Sequence, residues 1–250
     1  MFARLDLADE VRVAAHRALE VRNTMDIGPG DDLAARAVRV MSSETGREPH
    51  AFVRIRKRIP LAAGLGGGSS DAAAVMRALA TLWKSEVDLV RVGAQVGSDV
   101  PFFAANVAVA LVSGRGENVR PLPAPHDPLH VVVLRPPVRL RTAEVFAALK
   151  REEMGDFGHV VALAMAFQSG TVTPETLRTH ADNALLAAAE RCCEAIASWR
   201  AAAAARGIAL ALTGSGPTLF AVADDRGDAL RIARILRRAG LRGRAQVVGV

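Results

Sequence analysis

Apolar positions along the chain change their period several times, and each change separates a predicted strand from a predicted helix. Phe52-Val-Arg-Ile55 is apolar and β-branched, and Ala51–Ile55 reads as a strand together with Glu10–Val13. Helical spacing covers Asp31–Met41, with an acidic start, and Ser70–Lys84, which is rich in alanine. Val107–Val112 is a short apolar strand that ends at Ser113-Gly-Arg-Gly116. Farther along, His130-Val-Val-Val-Leu134 has the pattern of a buried strand, and Thr142–Lys150 reads as a helix. A longer helix is predicted from about Asp182 to Ala205, where Leu185, Leu186, Ala189, Cys192, Cys193, Ile196 and Trp199 form an apolar stripe capped by Gly207. Ala209–Thr213 and Leu219–Ala223 read as strands, Asp228–Ala239 as the last helix and Ala245–Val250 as a closing strand.

Strands and helices mix without the regular alternation of a doubly wound sheet, so the predicted class is α+β. The cluster Pro121-Leu-Pro-Ala-Pro-His-Asp-Pro128 restricts the backbone to extended conformations and reads as a connection between two halves. The expected domains are residues 1–124 and 125–250.

Composition narrows the function. Of 250 residues half are hydrophobic and 23% charged, which suits a globular chain with a packed core. There is no run of ~20 uninterrupted apolar residues, so no membrane span is expected. Met1-Phe-Ala-Arg-Leu-Asp-Leu lacks the apolar core of a signal peptide, and Cys192 and Cys193 are adjacent, which implies no disulfide framework. A cytoplasmic protein is the expectation. The net charge is +6, yet positive residues are spread out, aromatics make up 4% and tyrosine is absent, so nucleic acid is not the expected partner. A mild positive field suits a small anionic nucleotide instead.

The chemistry concentrates in Pro60-Leu-Ala-Ala-Gly64-Leu-Gly66-Gly67-Gly68-Ser69-Ser70-Asp71, between a strand and a helix. Backbone N–H groups of such a loop can converge on an anion where the helix presents its positive end. No lysine follows the last glycine, as the P-loop requires, and Ser69 stands where the dinucleotide fingerprint needs glycine. The plainer alternative is a turn capped by Ser69, Ser70 or Asp71. In the phosphate reading, Ser69 and Ser70 donate to phosphate oxygens or help hold Mg²⁺. Asp99, in Gly97-Ser-Asp-Val-Pro101, is a candidate general base or a turn cap. Thr213, Gly214, Ser215 and Gly216 form a second loop that is either a hairpin or a close approach to a ligand. Asp182 and Asn183 read as a helix cap, with a contact to the ligand as the alternative, and Gly114-Arg-Gly-Glu117 as a charged turn.

Lys57-Arg-Ile-Pro60 followed by Ala63-Gly-Leu-Gly-Gly-Gly-Ser-Ser-Asp-Ala-Ala-Ala74 resembles the ATP loop of the GHMP kinases. Val96-Gly-Ser-Asp99-Val-Pro-Phe-Phe103 resembles the segment carrying their catalytic aspartate, and Leu212-Thr-Gly-Ser-Gly-Pro-Thr-Leu-Phe-Ala221 their C-terminal glycine loop. The resemblance implies a two-domain GHMP kinase fold with ATP on Pro60, Leu61, Ala62, Ala63, Gly64, Leu65, Gly66, Gly67, Gly68, Ser69 and Ser70. It further implies Mg²⁺ near Ser70, Asp99 as base and substrate contact, and Thr213, Gly214, Ser215 and Gly216 on the substrate side. The implied reaction phosphorylates the 2-hydroxyl of a small molecule, a cytidine diphosphate-linked methylerythritol used for isoprenoid precursors. A mevalonate- or homoserine-type acceptor and a non-catalytic nucleotide binder are the alternatives.

Two family elements are not in these 250 residues: an opening Pro-Ala-Lys-x-Asn-Leu, whose lysine pairs with the catalytic aspartate, and a following Asp-Gly-Tyr-His. Residues 3–13 resemble the portion that comes after them, so the expectation is a shortened start, with an inactive relative as the alternative. Lys57 belongs to the strand leading into the ATP loop and is not expected to replace the lost lysine.

Overall fold

The computed structural model describes residues 1–25 and 32–249. Three short strands open the chain: β1 (Phe2–Ala3), β2 (Glu10–Ala15) and β3 (Glu20–Asn23). Helix α1 (Leu33–Thr45) begins at Asp32, whose carboxylate accepts the Ala34 N–H at 2.8 Å, and stops at Gly46. Asp31, placed by the sequence at the helix start, lies outside the described residues. Helix α1 buries Ala34, Ala37, Val38 and Met41, one stripe of a 3.6-residue period. In β4 (Ala51–Arg56), Ala51, Val53 and Ile55 are buried while Arg54 and Arg56 are exposed. This strand is the centre of a three-stranded sheet, antiparallel to β2 and parallel to β3, with Val53 opposite both Val13 and Val21.

The chain then enters the glycine loop and α2 (Gly67–Trp83), followed by α3 (Leu89–Val96) and α4 (Val100–Ala104). Helix α2 buries Ala72, Ala73, Val75, Met76 and Leu79 on more than one side, so it runs through the middle of this half. Its packing against α1, α3 and α4 holds the loop end in place. Strands β5 (Val109–Ser113) and β6 (Asn118–Leu122) form a hairpin to which β1 adds antiparallel. Pro121 falls within β6, an edge strand, where a missing N–H costs no ladder bond.

The second half is built on β7 (Leu129–Leu134), followed by α5 (Thr142–Ala148), α6 (Gly158–Gln168) and α7 (Pro174–His180). After these come α8 (Leu186–Cys192), α9 (Glu194–Ala204), β8 (Ala211–Leu212), β9 (Leu219–Ala223), α10 (Arg226–Arg238) and β10 (Gly243–Val248). The four strands lie in the order β10-β7-β9-β8, every pair antiparallel. The single helix expected over 182–205 is instead two, broken at Cys193, whose backbone is extended (φ −152°, ψ 98°). Ala188, Ala189 and Ile196 all reach the same core, so the apolar stripe continues through the break and its period hides it. Helix α6 is apolar on nearly every side and shows no stripe to read, while α7 has only 7 residues. A shared cluster of Val109, Leu122, Leu129, Val131, Phe167 and Val248 joins the two halves across the proline-rich connection.

Candidate active site

The first helical hydrogen bond of α2 runs from the Ser70 N–H to the Gly66 carbonyl at 2.9 Å. Gly66 is the N-cap and no side chain caps this end. The N–H groups of Gly67, Gly68 and Ser69 therefore have no partner among the described residues, at the positive end of a 17-residue helix. Ser69, Ser70 and Asp71 lie inside the first turns, not at the cap, which removes the plainer reading of this loop. Ser70 Oγ donates to the Gly67 carbonyl at 2.9 Å and keeps its lone pairs, whereas Ser69 is buried.

The second glycine loop connects β8 to β9 as a hairpin, with the Thr213 N–H donating to Thr218 O at 3.1 Å. Three groups hold it. The Asn183 amide donates to Leu212 O at 3.0 Å and to Gly214 O at 2.8 Å, while its Oδ1 accepts the Leu185 N–H. The Ser215 and Thr142 hydroxyls are 2.9 Å apart, which ties the loop to the start of α5. Thr213 Oγ1 donates to Gly64 O at 3.1 Å and so bridges the two glycine loops, 149 residues apart. Arg135 Nη2 adds a bond to Leu61 O at 3.0 Å from the end of β7. The helix cap expected at Asn183 is not formed: α8 has Leu185 at its N-cap with no side-chain capping bond, and Asn183 serves instead as the post of the second loop, a role no local pattern signals.

Asp99 occupies the N-cap position of α4, yet its carboxylate makes no capping bond. Burial alone pushes its carboxyl above the usual carboxylate range, and among the described residues no ion pair includes it. On the same short helix, the Phe103 ring packs so closely on Gly66 that a Cβ there would lie 2.8 Å from it. Helix α4, whose N-cap position is Asp99, therefore packs against the start of α2. Phe102 supports this seat through edge contacts with Phe2 at 5.4 Å and Phe103 at 5.1 Å.

The charged turn Gly114–Glu117 acquires a steric role in the fold. Gly116 has φ +118°, and a Cβ on it would lie 1.8 Å from the carbonyl oxygen of Ser98, the residue before Asp99. Only a glycine lets the β5–β6 turn press against the backbone that carries the candidate base. Gly116→Ala is expected to lower kcat by more than it raises the KM for ATP, because Asp99 moves while the glycine loop does not. Steady-state kinetics on the variant check this, and an unchanged kcat contradicts it.

Lys57 does not serve Asp99. Its Nζ lies 2.5 Å from Asp9 Oδ2 and 2.7 Å from Asp71 Oδ2, with all three side chains no more than 4% exposed. Burial pushes the Asp71 carboxyl up to about 7, against the pull of Lys57. Burial also acts on Asp9, but Lys57 and the Arg58 and Ile59 N–H groups outweigh it and hold that carboxyl low. Because Asp71 binds its proton more tightly folded than unfolded, its contribution is fully present below its unfolded value of 3.8 and is lost as pH rises to about 7. Denaturant unfolding should show wild-type stability falling by a few kcal/mol more than that of Asp71→Asn across roughly this window. Parallel pH profiles for the two proteins contradict this assignment.

Among the described residues no helix is long and apolar enough to cross a membrane, and no group of three or more His, Cys, Asp or Glu could hold a metal ion. Two family patterns match the chain, "GHMP kinases N terminal domain" over residues 32–113 and "GHMP kinases C terminal" over residues 146–241. A 4-diphosphocytidyl-2-C-methyl-D-erythritol kinase of Gloeobacter violaceus is 35% identical over 243 residues, covering 93% of this chain and 79% of the relative. Its counterpart in Exiguobacterium sibiricum is 34% identical, covering 93% and 82%. Among solved structures, a 4-(cytidine 5'-diphospho)-2C-methyl-D-erythritol kinase superposes with a TM-score of 0.78 at 32% identity, covering 99% of this chain and 88% of that one. A homoserine kinase from Cytophaga hutchinsonii superposes with a TM-score of 0.74 at 19% identity, over 99% of this chain and 88% of that one, which is a likeness of fold. With both patterns in order and relatives aligned over nearly its whole length, the chain belongs to the GHMP kinase family.

Proposed function

We propose that this chain is an ATP-dependent kinase that phosphorylates the 2-hydroxyl of 4-diphosphocytidyl-2-C-methyl-D-erythritol. The observation that carries this reading is the docking of the two glycine loops, Thr213 Oγ1 on Gly64 O, with the helix of Asp99 against Gly66. Residues Pro60–Ser70 hold the triphosphate, with the free N–H groups of Gly67, Gly68 and Ser69 facing its oxygens. Thr213–Gly216 line the acceptor side. On this reading residues 1–124 supply the ATP loop and the base, and residues 125–250 the second loop.

Asp99 accepts the proton of the acceptor hydroxyl as that oxygen bonds to the γ-phosphorus and the bond to the β-bridging oxygen breaks, which releases ADP. The N–H cradle stabilises charge that spreads over the transferred phosphoryl oxygens. Ser70 keeps oxygen lone pairs free, and the described residues offer no multi-carboxylate cage. That donor set fits Mg²⁺ carried mainly by phosphates and water, with Ser70 as a protein ligand. Such an ion neutralises phosphate charge when bound.

A second reading, a chain that binds nucleotide without transferring phosphate, is favoured by one observation: Asp99 has no ionic partner among the described residues. Incubation with γ-labelled ATP and a panel of alcohols separates the readings. Label should pass to the cytidine-linked methylerythritol and not to mevalonate or homoserine. ATP binding without any transfer supports the second reading, and labelled mevalonate or homoserine overturns the substrate assignment.

A further inference from the structure

The Asp9–Lys57–Asp71 cluster touches the glycine loop at both ends. At the entrance, Asp9 Oδ1 accepts the N–H groups of Arg58 at 2.5 Å and Ile59 at 2.8 Å, just ahead of Pro60. At the exit, Asp71 belongs to the first turns of α2. Lys57 bonds to both carboxylates from directly behind Gly67, where a Cβ would lie 3.4 Å from its Nζ. The second carboxylate oxygen of Asp71 is buried without a partner.

Such a cluster is a poor way to stabilise a fold. Desolvating ions costs several kcal/mol each, and apolar side chains of the same volume often serve stability as well or better. What apolar packing lacks is direction. Three charged groups at hydrogen-bond distance fix the entrance strand and the exit helix relative to each other, and the loop between them has little choice of shape. The helices α1, α3 and α4 packed on α2 bring Asp71 no ionic partner, and among the described residues Lys57 is the cation that orients it.

We propose that Lys57, held between Asp9 and Asp71, is a positioning residue for the phosphate loop. It sets residues 58–59 against the first turn of α2, so that the N–H groups of Gly67, Gly68 and Ser69 converge on a phosphate. The proposal rests on the assignment of residues 60–70 to ATP and deepens it.

Isothermal titration with ATP and with adenosine tests it, since adenosine carries no phosphate for the loop to hold. Asp71→Ala should weaken ATP by about tenfold or more and leave adenosine within about twofold, because small misplacements of positioned groups have large effects. Asp71→Asn, which keeps an oxygen acceptor for Lys57, should restore most of the ATP affinity. Should Asp71→Ala fail to fold, the paired Lys57→Met and Asp71→Leu variant fills the site with apolar volume and is read in the same way. Unchanged ATP affinity, or equal losses for ATP and adenosine, overturns the proposal. Gly67→Val in the loop itself is the companion. If it weakens ATP while the Asp71 variants do not, only the positioning role falls. If it too leaves ATP unchanged, the ATP assignment falls.

Discussion

Asp99→Asn should lower turnover by roughly 10²- to 10⁴-fold, the range that a positioned base contributes. ATP affinity should stay near that of the parent, because the proposed phosphate cradle consists of backbone N–H groups on α2 and not of this carboxylate. The side chain also makes no capping bond, so an isosteric amide removes no structural contact. Stability should shift in the opposite direction from activity. Burial raises the Asp99 pKa, so the folded state holds the proton more tightly than the unfolded chain. Its favourable contribution is present at acid pH and lost as pH rises through the folded value. Above its raised folded value the ionised carboxylate is a desolvated charge, and the amide avoids that penalty. The variant should therefore melt no lower than the parent at pH 7 to 8, a stability gain at the expense of activity that strained sites commonly show. The parent's rate should fall with acid at a pH above the ordinary carboxylate range. Near-normal turnover in the variant would reject Asp99 as the base.

Gly64→Ala should be the most damaging small substitution in the chain's glycine loops. Gly64 has φ +68°, and a Cβ there would lie 2.6 Å from Gly216 O and 2.8 Å from Thr213 O, both rigid backbone atoms of the opposing loop. Left-handed strain costs about 1–2 kcal/mol and overpacking another ~1–3 kcal/mol. Together these imply a melting temperature lower by about 4–20 °C in a protein of this size. Gly207 isolates the first effect, because it has φ +71° and a Cβ there would meet nothing within 4 Å. Gly207→Ala should thus carry only the strain, about 1–2 kcal/mol, and leave ATP binding intact. Calorimetry on both variants checks the difference, and equal losses would mean that the inter-loop contact contributes nothing.

How much of this was legible in the sequence depended on whether a feature is local. The glycine run between a β-branched strand and an alanine-rich helix was legible as a strand–loop–helix unit with an uncapped helix start, the feature on which the proposed phosphate cradle rests, and α2 begins within it. Asp99 was visible as a carboxylate in a Gly-Ser-Asp-x-Pro turn, although only the fold shows that it caps nothing. Features made by distant residues were not legible. Gly116 against Ser98 O is a contact between the β5–β6 turn and the connection from α3 to α4, and its sequence signature is that of any charged turn. The partners of Lys57 lie 48 and 14 residues away and carry no spacing rule. Cys193 breaks a helix without interrupting its apolar stripe, because both pieces face one core.

Hydrogen exchange of the 250-residue protein with and without ATP tests most directly whether the two glycine loops form one nucleotide cleft. Slower exchange is expected at the amides of residues 61–70, strongest at Gly67, Gly68 and Ser69, accompanied by slower exchange at 213–216. Protection elsewhere, with these amides unchanged, would contradict a shared cleft.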